Sequence, residues 1–188
     1  MVILAAGAST RMGSPKQLLD YRGQPLLRHA AQVALASCCE QVIVVLGANS
    51  ASLRPTLAGL PVITMENPDW QAGMGTSIKA GIEIAVKHDL DGVILGLADQ
   101  PLVDTGILDA LVQHHLDSRL PIVTSEYAGT VGVPVFFASK YFPNLMALEP
   151  TQGCKGVILK HSDEAARIAC QEAEIDIDTK ADYDLVRS

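Results

Sequence analysis

Val2-Ile3-Leu4-Ala5-Ala6-Gly7-Ala8-Ser9-Thr10-Arg11-Met12-Gly13-Ser14-Pro15-Lys16 is the stretch on which the fold turns. An apolar run, residues 2–4, reads as a buried strand and passes at once into a loop of small residues that carries two cations. Small residues let backbone approach a ligand, and consecutive N–H groups in such a loop make an anion-binding nest. In open α/β sheets ligands bind outside the carboxyl ends of strands, which is where this loop must lie. Nest, Arg11 and Lys16 together suggest a triphosphate site; on these residues alone, a surface turn with two solvated cations fits as well. The loop is not a P-loop, because no Gly-Lys-Ser/Thr follows. Nor is it the dinucleotide fingerprint, since Gly7 and Gly13 lack the middle glycine.

Outward from that loop, short β-branched runs alternate with helical patterns, the signature of a three-layer α/β domain. Residues 42–46, 62–65, 93–97 and 122–124 read as further buried strands, and 133–137 as a strand of a mixed sheet. Pro25 stands where a first helical turn begins, with Leu26, Leu27, Ala30, Ala31, Val33 and Ala34 as its apolar face. Thr76 or Ser77 can cap a second helix, and Asp104 a third. The chain has 188 residues, without repeat, low-complexity stretch or linker, and reads as one domain. At 48% hydrophobic and 19% charged it is a folded globular chain, and a net charge of -7 argues against a nucleic-acid or anionic-membrane surface. Its apolar runs are too short to span a bilayer, and the start has no basic leader, so a cytoplasmic protein is expected. Cys38, Cys39, Cys154 and Cys170 form no CxxC pair, and adjacent Cys38 and Cys39 could bridge only with strain.

Three further stations carry candidate chemistry. Asp99 closes the apolar run 92–98, and a carboxylate at a strand end beside a triphosphate loop is a natural ligand for magnesium, although an Asp before a turn is often only a turn residue. Asp176 and Asp178 alternate in the tail, so a strand there would put both on one face, with a plain strand end before a cap as the other reading. Gly73-Met74-Gly75-Thr76-Ser77 opens a helix, where glycines let a flat base lie against the backbone and Ser77 can bond a base edge or ribose. Trp70 can stack on a ligand or anchor its loop. His88, His114 and His115 lie at helix ends and are expected to face solvent.

Residues 4–13 with Lys16 resemble the signature of the MobA-like NTP transferase family, and most closely its molybdenum cofactor cytidylyltransferase branch. The resemblance continues through Asn67-Pro68-Asp69-Trp70, Gly73 to Ser77, Ala98-Asp99-Gln100-Pro101, Gly132-Val133-Pro134 and Asp176-Ile177-Asp178-Thr179. It implies a three-layer αβα, Rossmann-like nucleotidyltransferase fold (glycosyltransferase-A-like) with a mostly parallel mixed sheet. A nucleotide-binding half would cover about residues 1–103 and an acceptor-binding half about 104–188. The reaction implied is transfer of CMP from CTP to molybdenum-loaded molybdopterin with release of pyrophosphate. By the same resemblance Arg11, Lys16 and Asp99 are catalytic; Leu4, Ala5, Ala6, Gly7, Ser9, Arg11, Met12, Gly13, Lys16, Gly73 and Ser77 bind nucleotide; and Asp99 holds Mg2+. The second metal ligand is Asp178 or Asp176, with the family motif favouring Asp178, and Gly132, Pro134 and Lys155 fall in the acceptor site. Ala5-Ala6 resembles the cytidylyl branch, where the guanylyl branch usually has Gly second. Cys154 and Val133 depart from the family pattern, which has an acidic residue and His or Asn there; both positions belong to the acceptor half. A transient contact with a molybdenum hydroxylase is implied. The rival readings are a sugar- or polyol-phosphate nucleotidyltransferase on the same fold, and a non-catalytic molybdopterin carrier for a xanthine dehydrogenase-type enzyme.

Overall fold

The computed structural model describes residues 1–10 and 12–186. Seven strands form one sheet: β1 (Val2–Ala5), β4 (Ile43–Leu46), β5 (Ile63–Glu66), β6 (Gly92–Leu97), β7 (Ile122–Tyr127), β8 (Thr130–Ala138) and β9 (Ala165–Ala169). A small antiparallel hairpin, β2 (Asp20–Tyr21) with β3 (Gln24–Pro25), follows the N-terminal loop. The sheet order is β5-β4-β1-β6-β8-β7-β9, parallel throughout except for β8. Its central strands are apolar on both faces because both faces are covered by helices.

The pleat divides the core. Ile3, Val44, Leu46, Ile94 and Phe136 face one layer, α1 (Leu26–Ala36), α2 (Ser50–Leu53) and α4 (Thr105–Ser118), through Leu27, Ala31, Leu53, Leu108 and Leu111. Val2, Leu4, Val45, Leu95 and Phe137 face the other layer, α3 (Met74–Lys87), α5 (Phe142–Met146) and α6 (Lys155–Lys160), through Ile78, Ile82, Leu145 and Ile158. Helix α3 lies tight against the sheet at Gly81, where a Cβ would stand 2.4 Å from Val2 Cγ1. The last helix, α7 (Lys180–Val186), packs Tyr183 and Val186 over Tyr21, Leu26 and Ile177, and the Tyr183 hydroxyl donates to Asp20 O at 2.6 Å.

The structure corrects four local expectations. Pro25 ends β3 and sits at the cap position of α1, before its first turn. Helix α3 starts at Met74 with Gly73 as its cap, so Thr76 and Ser77 lie inside its first turn; the cap works because Pro150 O takes the Gly75 N–H at 2.8 Å. Residues 175–179 form no strand, and Ile177 N–H donates to Asp99 O at 3.0 Å just past β6. His115 is half-buried: its ring packs 4.4 Å from Phe136 and Nδ1 lies 2.7 Å from Leu120 O. Asp104 does cap α4, accepting from Ile107 N at 3.0 Å.

Candidate functional site

The N-terminal loop leaves β1 at its carboxyl end, beside the carboxyl ends of β4 and β6. One buried side chain shapes it. Gln17 donates from Nε2 to Ala5 O (3.3 Å) and Gly7 O (3.1 Å), and accepts from Ser9 Oγ at 3.2 Å. Ser9 Oγ in turn accepts from Lys16 N at 3.1 Å, and Met12 N closes a turn onto Ser9 O at 3.0 Å. Ser9 and Gly13 take positive φ, 54° and 68°. The loop therefore arrives pre-shaped, with Gly7 and Gly13 exposed and its backbone pinned from behind.

At the mouth of the loop a charged pole forms. The Lys16 ammonium lies between two carboxylates, paired with Asp99 Oδ2 and with Asp178 Oδ1 at 2.7 Å. Lys16 and Asp99 side chains are only 15% and 13% exposed. Burial works against the Lys16 charge, but Asp99 and Asp178 more than offset it and hold its pKa above that of an ordinary lysine. Asp99 Oδ1 is buried without a hydrogen bond among the described residues. Asp176 joins the same wall; burial first, then repulsion from Asp99 and Asp178, pushes its carboxyl upward. No three His, Cys, Asp or Glu side chains among the described residues form a metal cage by themselves.

From this pole a cleft of about 400 Å³ runs along Leu4, Ala6, Gly7, Trp70, Met74 and Ser77, with Gly73, Leu97 and Ala98 also on its wall. It is a slot because the backbone on either side is crowded. At Gly47 a Cβ would meet Ala6 O at 2.7 Å and Trp70 Cβ at 2.8 Å; at Gly73, with φ of 130°, it would meet Pro150 O at 2.5 Å. Trp70 is thus both a loop anchor and a cleft wall. Asn67, also buried, ties the slot's rim to α3: Nδ2 donates to Thr76 Oγ1 (2.8 Å) and Ser77 Oγ (3.0 Å), and Oδ1 accepts from Asp69 N (3.0 Å).

Of the residues singled out from sequence, Leu4, Ala6, Gly7, Lys16, Gly73, Ser77, Asp99 and Asp178 all line this cleft. Ser9 and Met12 border an adjoining hollow of about 320 Å³ with Thr10, Lys16 and Asp178. Ala5 is buried beneath the slot, Gly13 is exposed, and Arg11 lies outside the described residues. Gly132 and Pro134 do not line the cleft. Gly132 backs onto Tyr127, whose Oη would lie 2.4 Å from a Cβ there; Pro134 is buried after a cis peptide, its carbonyl accepting from Ser125 Oγ at 2.7 Å. Lys155 begins α6 and opens on a separate cleft with Lys160 and His161.

Gln17, Asn67 and Gln100 are side chains to which sequence reasoning gave no role, although the last two stand in motifs that carry the family resemblance. Gln100 donates from Nε2 to Ala173 O (2.8 Å) and Val133 O (3.2 Å), so it clamps the tail segment to β8. All three are buried amides, and a lone Gln or Asn in a sequence gives no sign of being buried.

The fold is that of the Rossmann-like nucleotidyltransferases: a Methanothermobacter nucleotidyl transferase superposes with a TM-score of 0.85, at 19% identity, over 99% of this chain and 94% of that one. Residues 1–165 match the MobA-like NTP transferase domain, and the chain belongs to that family. The tail that carries Asp176 and Asp178 lies beyond the matched residues. Purine catabolism protein PucB of Bacillus subtilis is 31% identical across 99% of this chain and 94% of its own length. Nicotine blue oxidoreductase of Paenarthrobacter nicotinovorans is 38% identical over 120 residues, a stretch that covers 63% of this chain and 58% of that protein. Rv0371c of Mycobacterium tuberculosis has a TM-score of 0.81 at 31% identity, over 100% of this chain and 96% of that one. The same protein has also been solved as a complex with manganese. No helix among the described residues is long and apolar enough to cross a membrane.

Proposed function

We propose that this protein transfers CMP from CTP to the phosphate of molybdenum-loaded molybdopterin and releases pyrophosphate. The observation that carries the reading is one continuous cleft with an apolar slot at one end and the Lys16, Asp99, Asp178 pole at the other. A flat base suits the slot, and a triphosphate suits the pole. Residues 1–103 supply most of the nucleotide site, and residues 104–188 the acceptor side, although Gly132, Pro134 and Lys155 lie off the cleft itself. The pairing of Ala5 with Ala6 supports cytosine over guanine through likeness to the cytidylyl branch of the family.

The acceptor phosphate is anionic near neutral pH, so its oxygen needs no strong base. It attacks the α-phosphorus in line, the bond from the α-phosphorus to the bridging oxygen breaks, and the electron pair leaves with pyrophosphate. Lys16 and Arg11, with the loop N–H groups, neutralise the charge that grows on the leaving group. Asp99 and Asp178 would hold Mg2+, which would supply neutralisation of the triphosphate charge. A cation fits there: the Lys16 ammonium already lies between the two carboxylates, and Asp99 Oδ1 is a buried acceptor with no hydrogen bond among the described residues. Such a site needs phosphate oxygens and water to complete it, as magnesium commonly does. The product passes in transient contact to a molybdenum hydroxylase, in a cytoplasm whose reducing poise suits four free cysteines.

Pyrophosphate release from each of CTP, GTP, ATP and UTP, with molybdenum-loaded molybdopterin and Mg2+, tests the reading. Release with CTP alone is expected. The departures at Val133 and Cys154 favour one alternative, a different phosphate acceptor, which release with a sugar or polyol phosphate in place of molybdopterin would reveal. A silent carrier binds molybdopterin and releases no pyrophosphate with any nucleotide.

A further inference from the structure

We infer that Asn67 fixes the Ser77 hydroxyl as a hydrogen-bond donor toward the slot, so that the slot selects a base presenting an acceptor on the edge it meets there. The inference rests on the slot being the base site. Its warrant is a count of donors and acceptors around one buried amide. Asn67 cannot flip: Oδ1 takes the Asp69 N–H at 3.0 Å, and turning the amide over would set an NH2 against that donor. Nδ2 must therefore donate to both Thr76 Oγ1 and Ser77 Oγ. Thr76 spends its own proton on Gly73 O at 2.8 Å or Asp69 O at 3.0 Å. Ser77 accepts in the same way, yet no protein acceptor for its proton is present among the described residues.

Ser77 is 4% exposed and lies in the cleft wall, so that proton is a buried, unspent donor beside the slot. A ligand group that also donates could reach only the remaining lone pair and would leave the Ser77 proton unspent in a desolvated place. An acceptor closes the set. Cytosine offers N3 and O2 along one edge, whereas guanine presents N1–H and an amino group along the corresponding edge. Asn67 is thus a positioning residue for specificity: it touches no ligand, and sets which end of the Ser77 O–H does.

The test is calorimetric titration of CTP, 3-deaza-CTP and 2-thio-CTP, with Mg2+, into the wild-type protein, Ser77→Ala and Asn67→Asp. The first analogue replaces N3 by a C–H, and the second weakens the acceptor at O2. Wild type is expected to bind at least one analogue about tenfold more weakly than CTP, the loss for one neutral hydrogen bond in a dry site. Ser77→Ala is expected to bind CTP about tenfold more weakly and no longer to distinguish that analogue. In Asn67→Asp a carboxylate takes the Ser77 proton, so the hydroxyl shows the slot a lone pair, and CTP affinity should fall as in Ser77→Ala although the serine remains. An analogue penalty as large in Ser77→Ala as in wild type overturns the inference, as does the lack of any penalty in wild type. Failure of CTP itself to bind wild type would overturn the base-site reading beneath it. If Asn67→Asp does not fold, the Ser77→Ala comparison decides alone.

Discussion

Lys16 Nζ and Asp178 Oδ1 meet at 2.7 Å across 162 residues of sequence. Lys16 opens a single 3-10 turn, Lys16–Leu18, behind the loop after β1, and Asp178 lies in the irregular stretch before α7. Lys16 is the centre of the cleft's charged pole, with Asp178 on one side and Asp99, just after β6, on the other.

If this pole handles the triphosphate, Lys16→Ala and Asp99→Asn should fold normally and lose turnover. Loss of one preorganised charge contact costs on the order of 3 kcal/mol, about a hundredfold in rate. Far-UV circular dichroism and pyrophosphate release check the two halves of that statement. Near-wild-type turnover in either variant would remove it from the mechanism.

Cation competition gives a second expectation. Lys16 neutralises the same carboxylates that would take a divalent ion, so Mn2+ alone should bind weakly, and more tightly once nucleotide draws the ammonium away. Electron paramagnetic resonance of free Mn2+ reads this directly. In Lys16→Met, Mn2+ binding without nucleotide should strengthen by about tenfold or more, as expected when a neighbouring positive charge is removed from a partly buried site. Unchanged binding in that variant would show that the ion and the lysine use different oxygens.

Gly75→Ala should destabilise the protein. Its Cβ would stand 2.2 Å from Glu149 O, a backbone atom that cannot swing aside, and 3.0 Å from Gln152 O. Overpacking of this kind costs about 1–3 kcal/mol. Urea titration gives the loss. A variant as stable as wild type would mean that residues 149–152 are free to move away from the α3 terminus.

The fourth expectation concerns pH. His29, on α1, packs edge-on against Tyr21 with ring centroids 4.7 Å apart. Burial holds its pKa below the usual 6.5; a hydrogen bond to the Pro101 backbone works against that, and Arg22 adds to the lowering. The folded protein therefore binds its proton less readily than the unfolded chain. Its contribution to stability is full above the unfolded pKa and is lost as pH falls below it toward the folded value. His29→Gln should flatten the dependence of the urea midpoint on pH between about pH 5 and 7. A slope equal to the wild-type one would place the titrating group elsewhere.

The strands of the sheet's centre were legible because each is an apolar run bounded by turn residues, as in residues 93–97 before Asp99. β9 was not, since Ala165-Ala166-Arg167-Ile168-Ala169 is too short of β-branched residues to announce an edge strand. Nor was the β2–β3 hairpin, whose pairing covers two residues a side. In the site, the charged and glycine positions showed through their chemistry, and Lys16, Asp99, Gly73, Ser77 and Asp178 do converge. Gln17, Asn67 and Gln100 stayed hidden because their effect depends on which backbone groups the fold brings to them. The α3 start was misplaced for a similar reason: its cap acceptor, Pro150 O, comes from a distant part of the chain. Lys155 carried a family motif yet faces another cleft, a matter of how α6 packs.

The Gln100 clamp has a consequence in time. One amide holds Ala173 and Val133 together, and Ile177 leans on Asp99 one residue before it. A chain emerging from the ribosome shows Lys16 first, Asp99 much later and residues 173–178 later still, and these must come back to Gln100, Asp99 and Lys16. Until that segment arrives, Lys16 has Asp99 beside it but not Asp178, and the charge balance of the pole is set only when residues 173–178 dock.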